Sequence, residues 1–578
     1  MSESPSGTGQ PRTGGVRLLA PRRAADRRAP GAPPDTGPRR RLHGTAPGVW
    51  GAVVFACWSF TPSLLPRPWV IQGLVAGINA AIGYGVGVLL AAVWRAFANR
   101  QAHPASPRTW RITLVAGGIL LAVFFGFGQY WQHEIRDLMG VSPDNPVLVA
   151  LSPVVAVVAF ALFVLLGRGL RAIYRSLTGL LQRRIGPRAA HALGWTAVAV
   201  ATYLVVTGVL LDGLVNAANE TFSLRDTTTA EGVTQPTTDL RSGGPGSLVP
   251  WDTLGWQGRT FTGTGPTAAD ITALMQRPAK EPIRTYVGLA SADDAEARAK
   301  LAVDDLEHAG GFQRANLLVV TTTGSGWVNG ASADTFEYLT AGDSAIVATQ
   351  YSYLPSWLSY LVDQSKAREA GRELFDAVYE RWSALPAASR PRLFVSGESL
   401  GSFGGETAFS GEYDLRNRTS GAVFAGPPNF NTLFTDFRTH RDAGSPESLP
   451  VYKGGRTVRF TNDAATGIPP QGQWQGSRVL YLMHASDPIV WWSPRLLFSE
   501  PDWIGEPPGK DVLAGVTWLP FVTFWQVTAD LTFAGGVPDG HGHAYKAEYV
   551  DAWNAVLQPS GVSADQLTQL RAKAAAIP

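Results

Sequence analysis

Five residues in the second half of the chain, Gly397-Glu-Ser-Leu-Gly401, have the spacing of a serine nucleophile turn. They follow Leu393-Phe-Val395, within an expected strand Arg392–Ser396, and lead into a helix start softened by Gly404-Gly405. A serine on a tight strand-to-helix turn lifts its hydroxyl clear of the sheet, and small residues two before and two after let that turn pass its neighbours. The N–H of Leu400, first in the helix, would then face a developing oxyanion. A second donor would come from the Gly-rich loop Gly324-Ser325-Gly326, after the apolar strand Leu317–Thr322, unless that loop is an ordinary turn.

A serine of this kind needs a base and an acid, and on such a scaffold the chain order is serine, acid, histidine. After Ser399 the next clear strand is Arg478–Met483, running into His484-Ala-Ser-Asp487-Pro488. Asp487, on the turn leaving that strand, suits the acid that fixes the histidine tautomer; its alternative role is an Asx turn before Pro488. Asp463, Asp502 and Asp539 lack a strand leading into them. The histidines after Asp487 are His541 and His543, in Asp539-Gly-His-Gly-His-Ala-Tyr545. Both lie on a Gly-softened loop, and only one of the two rings is expected to face Ser399. His543 is preferred and His541 is the alternative. A His-x-His pair could also hold a metal, but no carboxylate or cysteine cluster completes such a site, so neither metal nor organic cofactor is expected. His484 reads as a satisfied strand-end residue, and Glu398 as filler at the variable position of the turn.

The elements that must hold these residues alternate. Ile283–Leu289, Leu317–Thr322, Ala345–Gln350, Arg392–Ser396 and Arg478–Met483 read as strands, with helices over Asp293–Ala309 and Lys366–Trp382 and an amphipathic segment over Ala547–Leu557. This alternation predicts an α/β fold with a mostly parallel sheet over residues 282–560, followed by a tail, 561–578. Trp518–Ala534 reads equally as an apolar helix or as a last strand. Residues 430–475 look irregular, and Trp491 to Trp525 is rich in aromatics; Trp491 and Trp492 are the candidates for an acyl-binding wall, or for plain core.

The first part of the chain differs in kind. Charged residues are 16% of the 578, against about 25% in ordinary soluble proteins, with 45% hydrophobics and 19 Trp. Residues 1–45 hold nine arginines and read as a disordered basic arm. Residues 46–216 contain five charge-poor apolar spans, Val49–Phe60, Trp69–Trp94, Ile112–Gln132, Val147–Gly167 and Ala189–Leu211, and so predict an all-α transmembrane domain. The first is marginal for a ~30 Å hydrocarbon core. Arg95–Arg111 and Arg168–Arg188 hold four and six arginines without an acid. Positive loops stay in the cytoplasm, which puts the amino terminus inside and everything after about Asp212 outside. Gly73-x-x-x-Gly77 and Gly83-x-x-x-Gly87 predict close helix packing. Residues 217–281 read as a linker or covering segment. A net charge of +3 gives no reason to expect nucleic acid, and a single cysteine, Cys57, excludes disulfide frameworks and Cys-based metal sites.

With Ser59-Phe-Thr-Pro-Ser-Leu-Leu-Pro-Arg-Pro-Trp69 and Gly83-Tyr-Gly85 ahead of the serine turn, the chain from about 46 to 570 resembles an actinobacterial family of polytopic membrane α/β-hydrolases. The resemblance implies a membrane domain preceding an α/β-hydrolase catalytic domain. The function expected is that of a multi-pass serine hydrolase or acyltransferase acting on acyl esters, chiefly lipids of the membrane or envelope. The rival readings are a peptidase or thioesterase with the same residues, and a membrane scaffold or transport-associated protein with a degenerate hydrolase domain. Acyl acceptor and oligomeric state are not legible.

Overall fold

The computed structural model describes residues 45–101, 104–470 and 472–577. The basic arm expected over 1–45 lies, up to Gly44, outside the described residues.

A short helix, α1 (Ala46–Trp58), opens the described chain. Its 13 residues rise about 20 Å at 1.5 Å each, too little to cross a bilayer core. Four helices are long and apolar enough to cross: α2 (Trp69–Phe97), α3 (Pro107–Met139), α4 (Pro146–Leu181) and α5 (Pro187–Asp226). Against the expectation of five spans, the described residues hold four membrane-length helices and one short one. Much of the expected Arg-rich loop 168–188 is the last turns of α4, which carries Arg168, Arg171 and Arg175 and ends at Leu181, ahead of the turns that lead to Gly186-Pro187. The small residues of α2 act as expected. A Cβ on Gly83 or Gly87 would overlap the backbone of α1, and one on Gly73 or Gly77 the backbone of α4. The segment expected as a linker is partly helical too, at Gly255–Gly263 and Ala268–Met275.

Seven strands form one sheet among the described residues: β1 (Ile283–Val287), β2 (Asn316–Thr321), β3 (Ser344–Thr349), β4 (Arg392–Glu398), β5 (Gly421–Ala425), β6 (Val458–Thr461) and β7 (Arg478–Leu482). All pairs are parallel, in the order β1-β3-β2-β4-β5-β7-β6. The helices that cover the sheet are α6 (Ala295–His308), α7 (Gly330–Leu339), α8 (Gln364–Ser383), α9 (Leu400–Glu406), α10 (Val522–Leu531) and α11 (Glu548–Leu557). Alternation along β4 assigns the two faces. Phe394 meets Phe336 of α7 and Trp553 of α11, with ring centroids 5.6 and 6.1 Å away. Its neighbour Val395 faces Gly405 of α9. Residues 522–531, readable as strand or helix, are helix α10, and β6 rather than a late strand closes the sheet edge.

The apolar helices and the sheet share one core. Leu64 and Leu65 from the α1–α2 turn, and Ile135 and Met139 from the end of α3, are buried in the same cluster as the strand residues. At the end of α5, Asp226 accepts hydrogen bonds from Trp256 N (2.8 Å) and from Gln350 Nε2 (3.2 Å), just past β3.

Candidate active site

Parallel register brings the carboxyl ends of β2, β4, β5 and β7 level: Thr321 pairs with Gly397, Glu398 with Ala425, and Ala425 with Leu482. Ligands of open parallel sheets bind outside these ends. Ser399 stands there with φ 54° and ψ −124°, a strained backbone for a residue bearing a side chain. Crowding explains the motif's small residues. A Cβ on Gly397 would strike the Gly401 carbonyl, and one on Gly401 the Thr321 carbonyl. Ser399 N–H donates to Ala425 O at 2.9 Å, tying the turn to the end of β5, and Leu400 begins α9.

Beyond β7, Asp487 is fully buried and acts as an N-cap: its Oδ1 accepts Ile489 N–H at 2.9 Å. Its Oδ2 accepts His543 Nδ1–H at 2.7 Å and Tyr545 Oη–H at 2.9 Å. One oxygen thus makes the Asx-turn contact and the other holds the histidine. The His543 ring lies against Gly426, the residue after β5, where a Cβ would overlap it. This places the ring one residue from the carbonyl that holds Ser399 N–H. Among the described residues neither Ser399 Oγ nor His543 Nε2 makes a hydrogen bond, so serine and histidine are adjacent but not joined. Burial works against a cation at His543, and the Asp487 carboxylate outweighs it, holding the imidazole above its ordinary value of 6.5.

His541 goes elsewhere. It makes no hydrogen bond to Asp487, its Nδ1 is buried without a partner, and burial lowers its pKa. Of the two candidate bases the structure gives only His543, not the alternative His541, to Asp487, because the loop is not extended: Gly542, at φ +52°, turns the chain between the two histidines. The loop's backbone is clamped instead. Gly542 N–H donates to Ser486 Oγ (2.8 Å), and Gly542 O accepts His484 Nδ1–H (2.8 Å). His484 also donates Nε2–H to Glu548 at 2.6 Å and stacks on Tyr545 at 4.2 Å. Burial disfavours its charge, but Glu548 overcomes that and raises the pKa to about 9.

Glu398 is more than filler. Its buried carboxylate accepts Asn329 Nδ2–H (2.7 Å) and Tyr549 Oη–H (2.9 Å), and Asn329 also donates to Tyr545 O (3.0 Å). The serine turn and the histidine loop thus share one anchor, Asn329, at the start of α7. Desolvation raises the Glu398 pKa.

The Gly324–Gly326 loop is an engaged turn. Gly324 N–H donates to Tyr351 Oη (2.8 Å), Gly326 N–H to Thr323 O (3.2 Å), and Ser325 O accepts from Gln350 Nε2 (3.1 Å). The N–H groups of both glycines are committed within the fold, which removes them as oxyanion donors in this conformation. Trp491 is likewise corrected as a substrate residue. It is 1% exposed, donates to Ala485 O and stacks on Trp503 in the main core, because the short helix after Asp487 turns it inward. Trp492 is different: it packs on an apolar cluster with Leu400, Phe403, Tyr360 and Phe430. Sequence reasoning missed Gly426, Tyr545, Asn329 and Tyr360. Only Tyr545 carried a local signal, two residues after His543 and so on the same side of an extended loop.

A wholly parallel sheet carrying a positive-φ serine between a strand and a helix is the architecture of an α/β-hydrolase. The family model described as Alpha/beta-hydrolase family matches residues 283–570, and the one described as Alpha/beta-hydrolase family N-terminus matches residues 60–266. The chain belongs to this α/β-hydrolase family through both its apolar helices and its sheet. Neither a curated protein nor a solved structure matches it.

Proposed function

We propose that the chain is a membrane-anchored serine hydrolase or acyltransferase acting on acyl esters, with lipids of the membrane or envelope as the substrate class. The observation that carries this reading is the 2.7 Å hydrogen bond between His543 and the buried Asp487, with the imidazole seated on Gly426 beside the strained Ser399. In this reading Ser399 Oγ attacks the ester carbonyl while His543 Nε2 takes its proton. Asp487 holds Nδ1–H and offsets the imidazolium charge, and Leu400 N–H stabilises the oxyanion. Collapse returns the proton to the departing alkoxide and leaves an acyl-Ser399 ester. Water, or another hydroxyl or amine, then attacks that ester with His543 again as base.

Two features favour lipids. Four membrane-length helices accompany the hydrolase, with the end of α3 buried in its core, and Tyr360, Phe403, Phe430 and Trp492 share an apolar cluster with Leu400. Each methylene buried in such a wall is worth about 0.8 kcal/mol.

Fluorophosphonate labelling of the full-length protein in detergent tests the proposal. Labelling should fall on Ser399, faster with a long alkyl probe than with a short one. Ser399→Ala should abolish it, His543→Ala should slow it by about a thousandfold, and His541→Ala should keep most of it. A folded wild type that is never labelled would leave a scaffold with a silent hydrolase fold.

A further inference from the structure

The turn between α1 and α2, Ser59–Trp69, enters the hydrolase core immediately behind the His543 loop. Leu65 is fully buried, and its Cδ2 lies 3.2 Å from where a Cβ on Gly542 would stand. Gly542 is the residue between His541 and His543 and has φ +52°. The turn also grips the end of α10. Ser63 Oγ–H and Leu64 N–H donate to Asp530 Oδ2, the latter at 3.2 Å, and Arg67 Nε–H donates to Asp530 Oδ1 at 2.8 Å. Both members of this ion pair have side chains at most 1% exposed. Gln526, one turn earlier on α10, donates to Thr61 O at 3.0 Å. Just past α10, Phe533 N–H closes onto Asp530 O (3.1 Å), and Ala534 O accepts His543 N–H at 2.7 Å. Two short routes therefore join the turn to the histidine: Leu65 to Gly542 directly, and Asp530 through Ala534 to the His543 backbone.

We infer that the α1–α2 turn is a positioning element of the active site, with Leu65 and the Ser63–Arg67–Asp530 cluster seating the His543 loop against Asp487. This rests on the serine-hydrolase reading above. No hydrogen bond joins the turn to Ser399, so its effect passes through the histidine loop. The burial of its charges makes the arrangement exacting. Removing one partner of a buried pair strands the other, and a catalytic group displaced by about 1 Å can cost about a hundredfold in rate. The charged groups facing His543 are Asp487, Glu398 and His484, and none belongs to the turn. A shift in its titration on altering the turn can therefore only report movement of the loop.

The test compares Leu65→Ala, Asp530→Asn and the milder Ser63→Ala with the volume-conserving Leu65→Met, all in the full chain in detergent and matched for folded fraction by thermal melting. Leu65→Ala and Asp530→Asn should slow Ser399 labelling by about tenfold to a hundredfold, with the acid limb of the pH profile moved down as His543 loses Asp487. Ser63→Ala should do so to a smaller degree, and Leu65→Met should restore the wild-type rate and limb. A second readout does not need activity: the His543 pKa, followed by NMR in a Ser399→Ala background, should fall in the same variants. Folded Ser63→Ala and Asp530→Asn proteins with wild-type labelling and an unmoved His543 pKa would overturn the inference. A wild type that does not label, but whose His543 pKa responds to the turn, would overturn the hydrolase reading and leave the positioning role standing.

Discussion

Asp487 divides its work between two oxygens. Oδ1 caps the helix that follows, and Oδ2 gathers His543 and Tyr545, so the carboxylate is immobilised before it orients anything. Behind it, the His484–Glu548 pair has a measurable signature. A histidine raised from 6.5 to about 9 on folding contributes stability that is complete below about pH 6.5 and fades as pH rises through 9. The full effect is about 3 kcal/mol at 1.4 kcal/mol per unit. Denaturation midpoints should therefore decline between pH 6.5 and 9, and His484→Gln should flatten that decline. His543 titrates in the same direction, so the difference between the two curves carries the test, and parallel curves would count against a charged His484. Spacing and chain order alone pointed to Ser399 and Asp487 and narrowed the histidine to His541 or His543; the contact that separates these two came only with the fold. The anchoring of Glu398 could not, because its partners Asn329 and Tyr549 lie 69 and 151 positions away.

Among the elements, the serine turn shows how a motif records a packing limit. Gly401 is helical, where alanine would ordinarily gain up to about 1 kcal/mol. Its missing Cβ, however, faces the backbone carbonyl of Thr321, which cannot swing aside as a side chain could. Gly401→Ala should destabilise the protein by about 1–3 kcal/mol and slow labelling of Ser399; a more stable, equally reactive variant would refute the packing account. The strands leading to Ser399 and Asp487 were legible because they are apolar runs bounded by turns. β5 and β6 were not. Gly421-Ala-Val-Phe-Ala425 is short and weak in β-formers, and becomes a strand because β4 and β7 flank it on both sides. Val458–Thr461 has four residues and pairs only with β7. The length of α1 and the extension of α4 past its arginines were likewise invisible, since a charge-free run marks where lipid ends and not where a helix does.

At the scale of the whole molecule, the turn before α2, the end of α3 and the end of α5 all meet the hydrolase. The arginines near α2–α3 and α4–α5 therefore lie at the other ends of the same four helices. The positive-inside rule predicts that those ends are cytoplasmic and the hydrolase outside, whichever way α1 is counted. A reporter active only outside the cytoplasm should work when fused after Asp226 and be silent when fused between Leu181 and Pro187; the reverse pattern would place the active site inside. The turn that backs the histidine loop has a consequence in time. Ser63 and Asp530 are 467 positions apart, yet they bond side chain to side chain. A chain made from its amino terminus holds Leu65 and Arg67 ready long before Asp530 and Gly542 exist. The loop can be seated only when nearly all of the protein has been synthesised. A chain truncated before Asp530 would carry Ser399 on its sheet with no seated histidine beside it.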